Sequence, residues 1–364
     1  MQCKTATQLY ETWLASKVTI VEEDLEKKHK EMKKSVFAFL RGTFYRWIQL
    51  WSEICVEVNK APLVLAVGDL HIENFGTWRD KKSRLIWGIN DFDEACWMPY
   101  TIDLVRLAAS TKIAAKECNL KIDTKDSCKA ILEGYQNAIE VGGQPFVLEE
   151  NHEWLRSLAL GELHNPNSYW EKLARLPSIT QTIPKQAIEA LEKQMPEPGI
   201  DYRIAKRTAG LGSLGRQRFV AITDWRGGKI ACETKPLISS AYCWANGNIT
   251  EEIMYQKLLD SAVRSPDPFL YLHGNWIVRR LAPDYCLIDM TCLPKERDEY
   301  KLLSAMGWET ANIHLGTIGV GKAITADLSV RQKNQPSWFY EAVKSMARAT
   351  SDDWQQWKEN SSLI

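Results

Sequence analysis

The sequence predicts an α+β protein with two lobes, a mostly helical large lobe and a small antiparallel β lobe. Residues 1–200 carry apolar side chains mainly at helical spacing, whereas residues 201–285 alternate apolar and polar positions and are interrupted by glycines. Helical spacing returns from Glu296, so we assign residues 286–364 to the large lobe again. The Pro- and Gly-containing residues 196–199 (PEPG) are the predicted boundary between the lobes.

Composition narrows the class of protein. The chain has 364 residues, 45% of them hydrophobic and 25% charged, with a formal net charge of +0, which is typical of a globular protein with two to three lobes. There is no overall basic charge to attract nucleic acid, no signal peptide and no run of about 18 apolar residues. The nine cysteines form no CxxC pair, which favours reduced, mostly buried thiols. We expect a cytoplasmic protein without nucleic-acid or membrane partners; its oligomeric state is not indicated.

The first half of the large lobe is predicted to be helical. The charged residues 22–34 are interpreted as the solvated face of a helix, and the apolar residues 35–58 as a buried helix or helix pair with a break at Arg41-Gly42. Further helices are predicted over residues 102–115, 125–140 and 183–193, with a connection between 165 and 184.

Short strands are predicted on both sides of the boundary. In the large lobe, residues 63–67 and 84–89 are apolar runs that each lead into an acidic loop. In the β lobe the pattern predicts three strands, then a helix over residues 251–263, and then a hairpin around residues 273–275. The strands are residues 202–208, 218–224, 229–234, 269–272 and 276–280.

Asp69 and Asn74 occupy the first acidic loop, residues 68–75 (GDLHIENF). A carboxylate followed five residues later by an amide is typical of a loop in which the acid orients or deprotonates an attacking hydroxyl while the amide oxygen reaches a metal ion. We therefore predict Asp69 as the catalytic residue and Asn74 as a metal ligand. His71 and Glu73 are expected to shape the loop.

The second acidic loop, residues 90–93 (NDFD), follows about fifteen residues further on, at the end of the second strand. A carboxylate there can bridge Mg²⁺ to nucleotide phosphates, because Mg²⁺ takes few protein ligands and completes its shell with phosphate oxygens and water. Asp91 is the predicted ligand, and Asp93 is the best additional acid. Asp69-Leu70-His71 also resembles the opening of binuclear metallophosphoesterases, but His273-Gly274-Asn275-Trp276 lacks the histidine after Asn that such a site needs.

A glycine-rich loop lies between the first two strands of the β lobe. Gly210, Gly212 and Gly215 form a GxGxxG with Ser213 inside it. The residues after it alternate like a strand, and a strand–glycine loop–strand hairpin is typical of the element that covers ATP phosphates in kinases. We predict that this loop binds the nucleotide.

Lys235 ends the third strand of the β lobe, about twenty residues after the glycine loop. A lysine there can bind the α- and β-phosphates if a helical acid pairs with it. Glu252 is the candidate partner, and spacing does not separate it from Glu251. The adenine is expected near residues 276–283.

The order of these motifs is unusual, since kinases place the glycine loop and the lysine before the catalytic loop. Here both follow it by more than one hundred residues. A circular permutation, in which the same lobes are entered at a different point of the chain, accounts for this order.

These motifs resemble an uncharacterised bacterial family, domain of unknown function 2252, over roughly residues 30–320. The matching segments are residues 37–42 (FAFLRG), 68–75 (GDLHIENF), 90–95 (NDFDEA) and 103–110 (DLVRLAAS), with looser matches around the glycine loop, Lys235 and residues 278–281. Members of that family usually carry an acid and then Ala after the lysine, whereas Pro236-Leu237 follow here.

The acidic loops are also similar to those of aminoglycoside and choline phosphotransferases. That similarity implies a permuted protein-kinase-like fold, with Asp69 catalytic, Asn74 and Asp91 binding Mg²⁺, and Asp103 bracing the catalytic loop. The expected activity is ATP- and Mg²⁺-dependent phosphate transfer to a hydroxyl group of an unidentified small-molecule or protein acceptor. Two alternatives stay open: AMP transfer by the same fold, and a nucleotide-binding pseudoenzyme that acts as a scaffold.

Overall fold

The structure, a computed structural model of the chain, describes residues 1–117, 120–149, 152–179, 182–247, 249–288, 290, 293 and 298–359. It is a mixed α+β fold, as predicted, and every strand pair in it is antiparallel. Cys118, Cys292 and the predicted helix start at Glu296 lie outside the described residues. The other seven cysteines are buried free thiols. No helix within the described ranges has both the length and the apolar character needed to cross a membrane.

Helices form most of the described structure. They are α1 (Cys3–Lys17), α2 (Glu22–Lys34), α3 (Val36–Gly42), α4 (Phe44–Ile54), α5 (Thr101–Glu117), α6 (Thr124–Val141), α7 (Glu153–Glu162), α8 (Pro166–Ala174), α9 (Lys185–Glu192), α10 (Ala241–Ala245), α11 (Tyr255–Ser261), α12 (Asp298–His314), α13 (Val320–Asn334) and α14 (Trp338–Glu359).

The N-terminal helices follow the sequence pattern closely. The predicted break in the apolar run is present, since α3 ends at Gly42 and α4 begins at Phe44. Ser35 begins α3 because its hydroxyl accepts a hydrogen bond from the backbone N–H of Ala38, at 3.1 Å. The charged helix α2 is mostly exposed, but it buries one stripe that contains Asp24, Lys28 and Met32. This stripe faces α3 and the glycine loop.

The strands form three sheets. A five-stranded sheet has the order β6 (Arg203–Lys206), β7 (Phe219–Trp225), β8 (Gly228–Pro236), β10 (Trp276–Leu281) and β9 (Tyr271–His273). A second sheet pairs β1 (Leu63–Ala66) with β4 (Cys96–Pro99), and a third joins β2 (Phe75–Arg79), β3 (Leu85–Ile89) and β5 (Phe146–Val147). The five predicted β-lobe strands are therefore confirmed, whereas β2, β4 and β5 had not been predicted.

The hydrophobic core lies mainly between the helices and the two small sheets, and it includes the fully buried side chains of Leu70, Phe75 and Phe92 around the acidic loops. One face of the five-stranded sheet has its own core, where Phe219 and Trp276 pack near the small side chains of helix α9. Helix α9 thus packs on the outer face of the sheet. The other face is turned towards the acidic loops.

Two predictions about secondary structure were wrong. The predicted connection between residues 165 and 184 contains helix α8, which begins where the Asn165 side chain accepts a hydrogen bond from the N–H of Ser168 (3.2 Å) and Pro166 occupies the first turn. The predicted helix over residues 251–263 is shorter, and α11 begins only at Tyr255. Glu251 and Glu252 therefore both lie before this helix.

Candidate active site

The loop that carries Asp69 is fixed by Asp103 of α5. The Asp103 carboxylate accepts hydrogen bonds from the backbone N–H groups of Val67 (2.7 Å) and Gly68 (2.8 Å), and His314 Nε2 lies 3.0 Å from it. Gly68 has a φ of +88°, and a Cβ atom there would lie 2.5 Å from the backbone oxygen of Glu94. These contacts set the direction in which Asp69 leaves the turn, which is the bracing role implied for Asp103.

Asp69 is held by one arginine. Its Oδ1 atom accepts a hydrogen bond from Arg106 Nε at 2.8 Å, and Arg106 is fully buried between the rings of Phe44 and Trp47. Burial raises the pKa of Asp69 and Arg106 lowers it, with a net value of about 6. Asp69 is therefore a carboxylate that exchanges protons near neutral pH, as a general base should.

Asn74 and His71 close the turn that follows. The Asn74 Oδ1 atom accepts the backbone N–H of His71 at 2.6 Å, and His71 Nδ1 accepts the N–H of Glu73 at 3.3 Å. Burial, with Arg41 and Arg106 nearby, lowers the pKa of His71, so the ring is neutral. Glu73 forms an ion pair with Arg41 at 2.5 Å. Asn74 thus already has a structural role, and its predicted metal contact would use the remaining lone pair of the amide oxygen.

Asp91 and Asp93 follow strand β3 as a pair of buried carboxylates. The backbone N–H of Asp93 donates to Asp91 Oδ1 at 3.3 Å. Burial, reinforced by the charge of Asp93, raises the pKa of Asp91. Burial alone would also raise the pKa of Asp93, but Lys235 and Arg216 outweigh it and lower the value to about 2. Lys235 and Arg216 therefore favour the charged form of Asp93, while burial disfavours the charged form of Asp91.

Lys235 meets a different acid from the one predicted. Its Nζ atom donates to Asp93 Oδ2 at 2.5 Å, and its side chain is 6% exposed. Glu251 instead forms an ion pair with Lys17, and Glu252 is exposed. The predicted Lys235–Glu252 pairing is therefore wrong, because α11 begins after both glutamates, and its place is taken by Asp93.

The predicted hairpin around the glycine loop is confirmed, since β6 and β7 pair on either side of it. Gly210 and Gly215 have φ values of +74° and +96°. At Gly212 the loop lies directly over Asp69, because a Cβ there would be 3.3 Å from the Arg41 carbonyl oxygen and 3.6 Å from Asp69 Oδ2. Ser213 Oγ accepts a hydrogen bond from Arg218 Nη2 at 2.7 Å.

Helix α2 holds the same loop from the outside. The backbone N–H of Val21 donates to the Gly215 carbonyl at 2.8 Å, and Lys28 Nζ donates to the Gly212 carbonyl at 3.2 Å. Ile20 forms an isolated β-bridge with Arg216. The N-terminal helices therefore fix the glycine loop over Asp69, a contact that local sequence patterns do not show.

Arg216 is a functional candidate that the sequence analysis missed. Its side chain is 4% exposed and lies 3.9 Å from Asp93 Oδ2 and 4.0 Å from Glu94 Oε1, beyond hydrogen-bond distance. Its Nε and Nη1 atoms have no hydrogen-bond partner among the described residues. A buried arginine with free N–H groups is suited to bind an anion. Its one signal in the sequence is its place directly after Gly215.

A single cavity of about 520 Å³ brings most of these groups together. The predicted residues that line it are Asp69, Asn74, Asp91, Asp93, Gly210, Gly212, Ser213 and Lys235. Gly215 and Glu252 do not line it. The loop that carries Asp69, the acid pair and the glycine loop therefore face the same space, although the glycine loop is far from the other two in the sequence.

The residues present fit a magnesium ion that arrives with phosphate. No group of three or more His, Cys, Asp or Glu residues suited to hold a metal by itself occurs in the described part of the chain. Mg²⁺ needs fewer protein ligands when phosphate oxygens and water supply the rest. The buried Asp93 Oδ1 atom has no hydrogen-bond partner in the described structure. Asp91, Asp93 and Asn74 would hold such an ion.

Comparison with known proteins finds one family that matches part of this chain. Residues 20–166 match a family described as "Uncharacterized protein conserved in bacteria (DUF2252)". This match confirms the family resemblance predicted from the motifs at residues 37–110, and it includes Asp69, Asn74, Asp91 and Asp93. No curated protein and no solved structure matches the chain.

Proposed function

Residues 20–166 match this bacterial family, and from the geometry of the site we propose an ATP- and Mg²⁺-dependent phosphotransferase that acts on a hydroxyl acceptor. The observation that carries the proposal is the meeting of Asp69, the acid pair, the glycine loop and Lys235 in one cavity. Each belongs to the machinery of kinase-like phosphate transfer.

The arrangement of the β lobe supports a kinase-like origin. The glycine loop joins the first and second strands of the five-stranded sheet, and Lys235 lies near the end of the third. The acidic loops precede this sheet in the chain but face it in space, which is the relation expected for a circular permutation. The Lys235 partner is the exception, since Asp93 takes the place of a helical glutamate.

The chemistry follows from the charges. Asp69 accepts the proton of the acceptor hydroxyl, whose oxygen attacks the terminal phosphorus of ATP as the bond to the ADP oxygen breaks. Lys235 and Arg216 lie where they can neutralise phosphate oxygens. Mg²⁺, when bound by the acid pair, supplies further neutralisation of phosphate charge. Gly212 lies over Asp69, so the loop excludes water from the reacting hydroxyl.

Transfer of AMP is a second candidate, favoured by the arginines Arg207, Arg218 and Arg279 that line the cavity. Incubation with ATP labelled at the α- or the γ-phosphate, over pools of metabolites and proteins, tests both. We expect label transfer that requires Mg²⁺, is lost in Asp69→Asn and persists in the exposed control Asp352→Asn. Full transfer by Asp69→Asn would refute the role of Asp69. Mg²⁺-dependent ATP binding without transfer of either label would indicate a scaffold instead.

A further inference from the structure

Three arginines surround one buried glutamate on the cavity side of the five-stranded sheet. Glu233 is 1% exposed and accepts hydrogen bonds from Arg207, Arg218 and Arg279; the Arg279 Nε and Nη2 atoms lie 3.0 and 2.8 Å from it. One carboxylate neutralises one of three guanidinium charges. The side chains of Arg207 and Arg279 stay 28% and 32% exposed and line the cavity. We call these four residues the roof cluster.

The apolar part of the same sheet face is already covered. Val220, Ala231 and Leu281 form a buried cluster with Leu173 of helix α8, and Tyr169 and Trp170 pack against it. An adenine ring needs apolar or aromatic surface on its faces. The protein covers most of that surface with its own side chains; only Leu281 and Tyr169 of this described cluster reach the cavity, and the arginines beside them present charge.

The chain segment that follows β10 is also unavailable to a base. The carbonyl groups of Ala282 and Pro283 accept the N–H groups of Tyr285 (3.1 Å) and His164 (3.2 Å). Thr77 binds two further carbonyl groups of this segment. Its hydroxyl donates to the Asp284 carbonyl at 2.8 Å, and its N–H donates to the Cys286 carbonyl at 2.9 Å. Few backbone groups remain here to read the edge of a base. The sequence had pointed to adenine at this place.

We propose that the roof cluster binds the terminal phosphates of a nucleoside triphosphate. This inference rests on the proposed use of ATP and favours the second candidate, AMP transfer, because it fixes the direction in which the nucleotide lies. Arg207 and Arg279 line the same cavity as Asp91 and Asp93, so the roof cluster and the acid pair face one space. A triphosphate that spans them places its α-phosphorus beside Asp69.

The transferred group is then AMP. The acceptor oxygen bonds to the α-phosphorus, the bond from that phosphorus to the bridging α–β oxygen breaks, and pyrophosphate leaves. The proton of the hydroxyl passes to the Asp69 carboxylate. No oxidant or further co-reactant is needed, so atoms and charge balance within ATP and the acceptor.

The first test measures binding of inorganic tripolyphosphate to the full chain by calorimetry. We expect Arg279→Gln and Arg207→Gln to raise its Kd at least tenfold, and Arg175→Gln, an exposed change of equal charge directly after α8, to leave it unchanged. Arg280 lines the cavity without contacting Glu233. Arg280→Gln therefore probes the same site if a roof-cluster variant does not fold. Unchanged Kd values in all folded variants would overturn the proposal.

The second test identifies the product. Transfer of the α-label with release of pyrophosphate supports the proposed direction of ATP, whereas transfer of the γ-label with release of ADP overturns it and leaves the phosphotransferase intact. If tripolyphosphate binding depends on Arg279 but neither label moves, the anion site stands and the proposed enzymatic function fails. The two proposals are therefore separable.

Discussion

At the scale of single residues, two opposing effects determine the pKa of Asp69. Burial disfavours its charged form, while the buried guanidinium of Arg106 favours it, and the pKa settles at about 6. Arg106 has no other acid in hydrogen-bonding contact among the described residues. The two side chains depend on each other, so we expect a change to Arg106 to alter both the charge and the orientation of the Asp69 carboxylate.

Activity should therefore fall in mild acid. Below about pH 6 the Asp69 carboxyl is protonated and cannot accept a proton, so we expect kcat/KM to decrease about tenfold per pH unit there. The folded-state pKa lies above the ordinary value of 3.8, so ionisation of Asp69 lowers the stability of the fold as pH rises through this window. Rates of label transfer between pH 4.5 and 8 check this. A flat profile down to pH 5 would contradict it.

Asp103 offers a residue-scale prediction about stability. The buried Asp103 carboxylate accepts hydrogen bonds from two backbone N–H groups and contacts His314. In Asp103→Asn one of its oxygens becomes an NH₂ group, which then faces an N–H donor. We expect the free energy of unfolding to drop by about 3 kcal/mol. Urea denaturation measures it, with Asp352→Asn as the exposed control. Equal midpoints for both variants would show that the loop is braced in another way.

At the scale of elements, helices α6 and α12 pack in direct backbone contact where they cross. A Cβ at Gly134 would lie 1.9 Å from the Ser304 carbonyl oxygen, and one at Gly307 would lie 2.1 Å from the Ile131 carbonyl oxygen. Each glycine thus faces the backbone of the other helix. This reciprocal contact positions α12, which carries His314 to Asp103.

Gly307→Ala should force these two helices apart. Backbone cannot yield as a side-chain end can, so we expect a loss of about 3 kcal/mol in the free energy of unfolding. The control is Gly161→Ala in α7, where nothing lies within 4 Å of the added methyl group and alanine favours the helix. A Gly307→Ala protein as stable as this control would refute the close crossing.

Gly212→Ala tests the glycine loop in a different way. The added methyl group would meet the Arg41 carbonyl oxygen at 3.3 Å and Asp69 Oδ2 at 3.6 Å, so the loop must shift by a few tenths of an ångström. We expect label transfer to slow on the order of tenfold while the unfolding midpoint barely moves. Equal rates in both proteins would mean that the loop does not shape the reacting site.

Local patterns predicted those elements whose signals are local. The β6–β7 hairpin, the break between α3 and α4, and the acidic loops follow from alternation, spacing and turn residues over a few positions. Asn165-Pro166 is a typical local pattern for a helix start, and it does begin helix α8, although the sequence analysis predicts a connection there. Strand β5 spans two residues, too few for any periodicity.

At the scale of the whole molecule, the site depends on contacts between distant segments. Lys235 and Asp93 are 142 positions apart, and Lys28 and Gly212 are 184 apart. No periodicity links such positions, which is why the partner of Lys235 was assigned to a nearby glutamate. Arg216 stayed unnoticed for the same reason, because its neighbours come from the acidic loops.

The Lys235–Asp93 pair should couple the two halves energetically. Either Lys235→Met or Asp93→Asn leaves the other charge buried without this partner, and we expect each to cost about 3 kcal/mol of stability. The double variant should cost at least about 1 kcal/mol less than the sum. Chemical denaturation of the four proteins measures this. Strict additivity would show that the two residues act independently.

The distance along the chain between those two residues also has a consequence during synthesis. At about 5–20 residues per second, a ribosome needs roughly 7–28 s to extend the nascent chain by the 142 positions from Asp93 to Lys235. For that interval the acidic loops exist without the cations and the glycine loop that complete them. If the site binds nucleotide as proposed, we expect the nascent chain to gain that ability only after its β lobe has left the exit tunnel.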